Sequence, residues 1–255
     1  AEGARWLAVS NTGEGVALRQ AGIGARILVM ADSLTQEHPA LADYDLTPVV
    51  HSLDGLAALD RFAGCRGVRL RYHLKLDTGM SRLGASGSAG EIASRIRQCR
   101  HVEFEGLMTH FASSADYTSG QTDRQVDAFT RVLAELERMG ITPVWRHLSS
   151  TNPVAYGRKP AWGNMVRVGH ALYGYISPAK GDAPPRLLDV TPALTWKATV
   201  LAVKHLPPGA RVGYGGTFRT DRPTTIAVLA AGYADGIPHR MSNRGKVIAA
   251  GRLVP

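Results

Sequence analysis

Over residues 1 to about 178, short apolar runs alternate with longer amphipathic ones. WLAVS (6–10), ARILVMA (25–31), LTPVVH (46–51), RLRYHLKLD (69–77), VEFEGLMTHF (102–111) and TPVWRHLSS (142–150) predict strands. Helical patterns lie between them. The clearest runs from Gln121 to Met139, where Val126, Phe129, Val132, Leu133, Leu136 and Met139 recur at helical spacing, and Gly140 supplies a natural C-cap. Strands alternating with helices predict βαβ units around a parallel sheet, either open or closed into a barrel.

The texture changes after the Pro-rich stretch DAPPR (182–186). ALTWKATVLAVKHL, ARVGYGGTF, TTIAVLAAGYADG and GKVIAAGRLV are β-rich runs divided by PPG, RTDRP and SNRG turns, with no convincing helix among them. Two domains are expected, a βα domain over 1–185 and a smaller β domain over 186–255. No internal repeat suggests a solenoid.

One strand carries a chemical signal. In 68–77, one parity holds Val68, Leu70, Tyr72, Leu74 and Leu76, and the other holds Arg69, Arg71, His73, Lys75 and Asp77. Strand side chains alternate between faces, so one face is apolar and the other strongly polar. An edge strand facing water has this pattern, and so does a strand lining a barrel lumen or a cleft for a charged ligand. Strands of a βα domain are normally covered on both faces, and barrel enzymes place their sites at the C-terminal strand ends.

Composition narrows the class. The 255 residues are 44% hydrophobic and 20% charged, as in an ordinary globular protein. No apolar run reaches the ~18 residues of a membrane span, and AEGARWLAVS lacks the layout of a signal peptide. The formal charge of +9 is scattered, with no basic block or aromatic interleaving, which argues against nucleic-acid binding. Cys65 and Cys99 stand alone, without metal-ligand spacing, so no metal site is expected and a reducing cytoplasm is the simplest setting.

The segment HLKLDTGMSRLG (73–84) resembles the signature of alanine racemases, down to its Lys-x-Asp-Thr-Gly-Met-x-Arg spacing. NMVRVGHALYG (164–174) is similar to that family's strand and loop for pyridoxal 5'-phosphate (PLP), and VGYGGTF (212–218) with AAGYADG (230–236) resembles its C-terminal domain. The matches come in the family's order and span nearly the whole chain. The resemblance implies a (β/α)8 TIM-type barrel followed by a mainly-β domain. It also implies a homodimer in which each active site is completed by the partner's β domain.

The resemblance further implies roles. Tyr214 matches the catalytic tyrosine that serves one face of the substrate's α-carbon, a PLP-bound lysine serving the other. His110 matches the histidine that hydrogen-bonds this tyrosine. A phenol with an ordinary pKa near ~10 is a poor base at neutral pH, so nearby cations must lower it. Arg167 matches the arginine facing the pyridine nitrogen; a guanidinium only donates, so it keeps that nitrogen unprotonated. Arg82 matches the arginine at the cofactor's phenolic oxygen, and Lys75 a lysine often carbamylated to orient it. Ser150 and the amides of Gly169 and His170 match the phosphate site, and His147, on the same strand end, is a further expected cofactor-binding residue. Two departures concern this site: the chain reads His147-Leu148-Ser149-Ser150 where the family shows Asn-Ser after His-x-x, and His170 stands where an aliphatic residue is usual. Tyr233 matches a tyrosine that narrows the substrate entrance, while Asp235 and Gly236 shape a turn. Read without the resemblance, Tyr214 is a packed strand aromatic, His110 a satisfied core histidine, Arg167 a surface or salt-bridge arginine, and Lys75 an ion-pair partner of Asp77.

None of the six lysines (75, 159, 180, 197, 204 and 246) lies in the family's Lys-Ala-x-Ala-Tyr-Gly-x-Gly segment. The expectation is a fragment without the first barrel strand and the C-terminal end, inactive as it stands. Its parent is expected to interconvert L- and D-alanine for cell-wall peptidoglycan in the cytoplasm. The alternatives are a broad-specificity or serine racemase on the same scaffold, and a non-catalytic PLP-binding protein.

Overall fold

The computed structural model describes residues 3–255, and the chain divides between Ala193 and Leu194 into two compact units. The first unit runs β1 (Trp6–Val9), α1 (Thr12–Gln20), β2 (Arg26–Val29), α2 (His38–Asp43), β3 (Leu46–Val50), α3 (Leu53–Arg66) and β4 (Leu70–Lys75). It continues with α4 (Ala89–Gln98), β5 (Val102–Met108), α5 (Gln121–Arg138), β6 (Trp145–His147) and a short α6 (Thr151–Ala155). The helices start and stop where their local chemistry dictates. Ser52 accepts from the Gly55 amide at the start of α3, Ser88 and Glu91 form a reciprocal capping box on α4, and Gly67 ends α3 in the left-handed region. Gly140, two residues past α5, has φ +77°, as a C-terminal stop requires.

The six strands form one parallel sheet in sequential order. The sheet curls into a half-barrel, because the rings of Trp6 on β1 and Trp145 on β6 meet edge to face at 5.9 Å although their strands end the order. Its outer face carries Ile27, Leu46, Val50, Leu70, Tyr72, Leu74 and Leu107 against Leu41, Leu56, Leu59, Ile92, Phe129 and Leu136 of the helices. Burying each such side chain contributes roughly 1.5–3 kcal/mol. A separate apolar cluster, Leu28, Val49 and Met108 with Trp6 and Met30, lies on the concave face.

The two-faced pattern of β4 is therefore that of a lumen-lining strand. Leu70, Tyr72, Leu74 and Leu76 join the outer core, while His73 and Lys75 are buried on the opposite face. Between β4 and β5 the register shifts: Tyr72 pairs with Phe104, but His73 pairs with Gly106. Glu105 is the extra residue of this bulge, so Glu105 and Gly106 both come to lie beside His73.

Residues 164–168 form no regular strand, although the amides of Asn164 and Met165 reach Arg146 O and that of Arg167 reaches Ser149 O. The second unit contains β7 (Val200–Leu206), β8 (Arg211–Val212), β9 (Phe218–Arg219), β10 (Thr224–Leu229), β11 (Val247–Ala249) and β12 (Arg252–Val254). They pair as antiparallel ribbons, β7 with β10, β8 with β9 and β11 with β12. Among the described residues this unit holds 3-10 turns and no α-helix. No helix of the described residues is long and apolar enough to cross a membrane.

Candidate active site

A cavity of about 630 Å3 opens at the C-terminal ends of the strands. Its walls include Met30 after β2, Met80 after β4, His110 after β5, Ser150 at the start of α6, and Arg167, Gly169 and His170. Side chains there come from several strand ends, the usual arrangement of barrel enzymes.

The loop after β4 is built by its own sequence. Asp77 Oδ1 accepts from the amides of Gly79, Met80 and Ser81, each at 3.0 Å. Gly84 has φ +140°, and a Cβ there would sit 2.5 Å from the Asp77 nitrogen, so only glycine closes the loop. Arg82 rides on this loop, exposed and without a hydrogen bond or ion pair to any described residue. Gln125 of α5, buried, ties the loop to the next one: its amide donates to Thr78 Oγ1 and His110 O and accepts from the Ala112 amide.

Arg167 is the centre of the polar network. Nη1 donates to His147 O at 2.8 Å and to His147 Nδ1 at 3.0 Å. Nη2 donates to Thr109 O at 2.7 Å, Leu148 O at 3.0 Å and His110 Nδ1 at 3.3 Å. Nε is buried and has no partner among the described residues. Burial lowers the pKa of this guanidinium to about 9. It makes no ion pair with a described carboxylate, so the reading of Arg167 as a salt-bridge arginine is replaced by a cation held on carbonyls and imidazoles.

The surrounding groups respond to that cation. His110 is lowered to about 4, first by burial and then by Arg167, Lys75 and Arg82. It is neutral at pH 7, accepts from Arg167 at Nδ1 and carries its proton on Nε2. Lys75 is lowered to about 8 by burial and by Arg82 and Arg167. It forms no ion pair with Asp77, whose Oδ1 is spent on loop amides. His51, which lies over Met30 O at 3.0 Å, is lowered to about 4 by burial and Lys75.

On the anion side, the Ser149 hydroxyl donates to Ala161 O at 2.7 Å, so Ser149 is a structural residue and Ser150 is the serine on the cavity. The Gly169 amide donates to Thr151 Oγ1 at 3.1 Å, whereas the His170 amide has no partner among the described residues. Tyr214 and Tyr233 belong to the second unit. Tyr214 opens a 3-10 turn and is 93% exposed, so it is not a packed strand aromatic. Tyr233 opens another, in which Asp235 accepts from the Gly232 amide and Gly236 takes φ +96°, a turn as expected.

Three polar residues of the lumen were given no role by the motif reading: Arg26, Glu105 and His73. Arg26 lies over the Trp6 ring at 4.0 Å, and its Nη2 donates to Glu105 Oε2 at 2.7 Å. Glu105 Oε2 lies 3.4 Å from His73 Nε2, and His73 Nδ1 lies 2.8 Å from His147 Nε2. His73 stood on the polar parity of β4; nothing in the sequence paired it with Glu105.

A curled βα half-barrel with a cationic, imidazole-lined cavity at its strand ends, followed by a β unit, defines the class as a βα-barrel protein with an appended β unit. The family model described as "Alanine racemase, N-terminal domain" matches residues 1–178, and "Alanine racemase, C-terminal domain" matches 193–255. The chain belongs to the alanine racemase family. It is 36% identical to the alanine racemase of Halothermothrix orenii over 254 residues, covering 99% of this chain and 66% of that protein. It is 39% identical to that of Carboxydothermus hydrogenoformans, covering 99% and 68%. Among solved structures it resembles alanine racemase from Clostridium difficile 630 with a TM-score of 0.85 at 28% identity, covering 99% of this chain and 65% of that one. The chain thus spans about two thirds of the length of the curated relatives it matches.

Proposed function

We propose that the full-length protein interconverts L- and D-alanine with PLP, in the cytoplasm, as a homodimer that supplies D-alanine for cell-wall peptidoglycan. The observation that carries this reading is Arg167 Nε, a buried donor without a partner beside a cavity of suitable chemistry. A pyridine nitrogen is an acceptor that meets this donor, and Ser150 with the His170 amide offers donors to a phosphate. The residues fit the cofactor. Bound there, PLP would supply the electron withdrawal that makes the substrate's α-proton removable.

Arg167 cannot take a proton, so it holds the ring nitrogen unprotonated and limits charge build-up on the substrate. Tyr214 would carry the proton to and from one face of the α-carbon in the partner subunit's site, and His110, neutral, has an Nε2–H to offer to such a phenolate. Arg82 binds on the phenolic-oxygen side. Lys75, with a pKa of about 8, is roughly a tenth neutral at pH 7. The neutral amine can add to carbon dioxide and release a proton, giving a carbamate that attracts Arg82. Tyr233 narrows the entrance.

The test is racemisation by full-length, PLP-loaded protein of L-alanine against L-serine and other L-amino acids. Preference for alanine supports the reading. Equal rates across side chains favour a broad-specificity racemase, and PLP binding without turnover favours a carrier.

A further inference from the structure

Arg167 is a buried cation with no carboxylate against it among the described residues, yet a carboxylate lies at the far end of a line of imidazoles. Hydrogen bonds join Arg167 Nη1 to His147 Nδ1 (3.0 Å) and His147 Nε2 to His73 Nδ1 (2.8 Å), and His73 Nε2, buried and without a well-directed hydrogen bond among the described residues, lies 3.4 Å from Glu105 Oε2. Arg26 holds both Glu105 oxygens from the other side.

The two ends determine every proton between them. A guanidinium only donates, so His147 Nδ1 must accept and His147 carries its proton on Nε2. That proton points at His73 Nδ1, which must accept in turn, so His73 is also protonated on Nε2, the nitrogen that lies 3.4 Å from Glu105 Oε2. Both imidazoles are neutral; burial pushes the His73 and His147 pKa values down. Burial alone would raise the Glu105 carboxyl, but His73 and Arg26 outweigh it and hold its pKa at about 2, so the acceptor end stays charged.

We propose that Glu105 and His73 are positioning residues for Arg167: a carboxylate clamped by Arg26 orients a one-way run of donors through His73 and His147. This run fixes the acceptor that His147 offers to the guanidinium and so holds Arg167 with Nε turned away from it. The fold invests in it twice. The β5 bulge places Glu105 beside His73, and residue 106 is glycine where any Cβ would fall 2.5 Å from His73 Nδ1. The role rests on the reading of Arg167 as the cofactor's ring partner.

The full-length, PLP-loaded protein, labelled with 15N-histidine, tests the proposal by two-bond 1H–15N correlations, which report imidazole tautomers without substrate. His73 and His147 are expected to be neutral and protonated on Nε2 at neutral pH. In Glu105→Gln, Arg26 retains the amide oxygen and turns the NH2 toward His73 Nε2, setting donor against donor. The tautomers should then change and the visible spectrum of bound PLP should shift. By analogy with partners of metal-bound histidines, kcat should fall about 10- to 100-fold, with KM little altered. Glu105→Asp, which keeps an acceptor, should restore the tautomers and much of kcat. A protonated His73, an Nδ1–H His147, or tautomers unchanged in Glu105→Gln would overturn the proposal. The parent measurement decides even if a variant fails to fold. It is also separate from the racemase reading, which the absence of turnover would sink while leaving the tautomers as predicted.

Discussion

The backbone of Gly106 lies against the imidazole of His73, so closely that a Cβ on residue 106 would sit 2.5 Å from Nδ1 and 2.6 Å from Cγ. The φ of Gly106 is not in the left-handed region, so space and not conformation demands glycine here. Gly106→Ala is expected to destabilise the protein by about 1–3 kcal/mol, the cost of overpacking a buried site. It should also displace His73 from His147. Urea unfolding gives the first quantity and the His73 15N shifts the second. An alanine variant of unchanged stability and shifts would mean that the strands spread freely at this point.

Asp77 holds the loop that bears Arg82 through three amides on one oxygen. Asp77→Ala should cost about 1–2 kcal/mol, as loss of a capping side chain does, and should speed hydrogen exchange at residues 79–81. Asp77→Asn keeps an acceptor oxygen and should do less of both. Equal protection in the parent and the alanine variant would show that Gly84 and the strand ends hold the loop without Asp77.

Acid should weaken the fold in a defined window. His51 and His110 have folded-state pKa values of about 4, below the ordinary 6.5, so the unfolded chain binds their protons first. Their contribution is complete above pH 6.5 and is lost as pH falls toward 4, with a slope of at most about 1.4 kcal/mol per pH unit for each group. Glu105, held at about 2, stays charged in the folded state across this window, whereas the unfolded chain's Glu begins to protonate near its ordinary 4.5, so it adds to the slope at the acid end. Urea unfolding of the parent and of His110→Gln at a series of pH values measures the difference. Parallel curves would show that His110 protonates as easily in the folded state as in the unfolded one.

Tyr214 is 93% exposed, so replacing it by Phe removes no packing and should change stability by less than about 0.5 kcal/mol. Full-length Tyr214→Phe should bind PLP and fail at proton transfer on one face, more severely from one enantiomer. Mixed with an inactive variant lacking the PLP lysine, it should recover about a quarter of parental activity. Half of randomly mixed dimers are mixed, and each has one intact site. Demonstrated subunit exchange without recovery would place the tyrosine in its own chain's site.

Much of the frame was legible because it depends on local periodicity. The two parities of residues 68–77 needed only the alternation of a strand, and the stop at Gly140 only a residue tolerant of positive φ. The Asp77–Gly84 loop rests on equally local capping and glycine chemistry, but the sequence reading set Asp77 on the strand's polar face and did not foresee its turn. Parity could not say whether the polar face met water or a lumen. That depends on where strands far apart in sequence come to lie, and the packing of Trp6 on Trp145 settles it.

The polar core of the site was decided by the tertiary structure alone. Residues as far apart as Arg26, Glu105, His147 and Arg167 become one electrostatic unit only when the sheet curls. A one-residue bulge then turns Glu105 toward His73, which strand alternation by itself cannot foresee. Sequence determines which groups the chain has and which face each takes within its own element. The protonation and direction of those groups follow from partners brought near by folding, because burial and Coulomb interactions act through space and not along the chain.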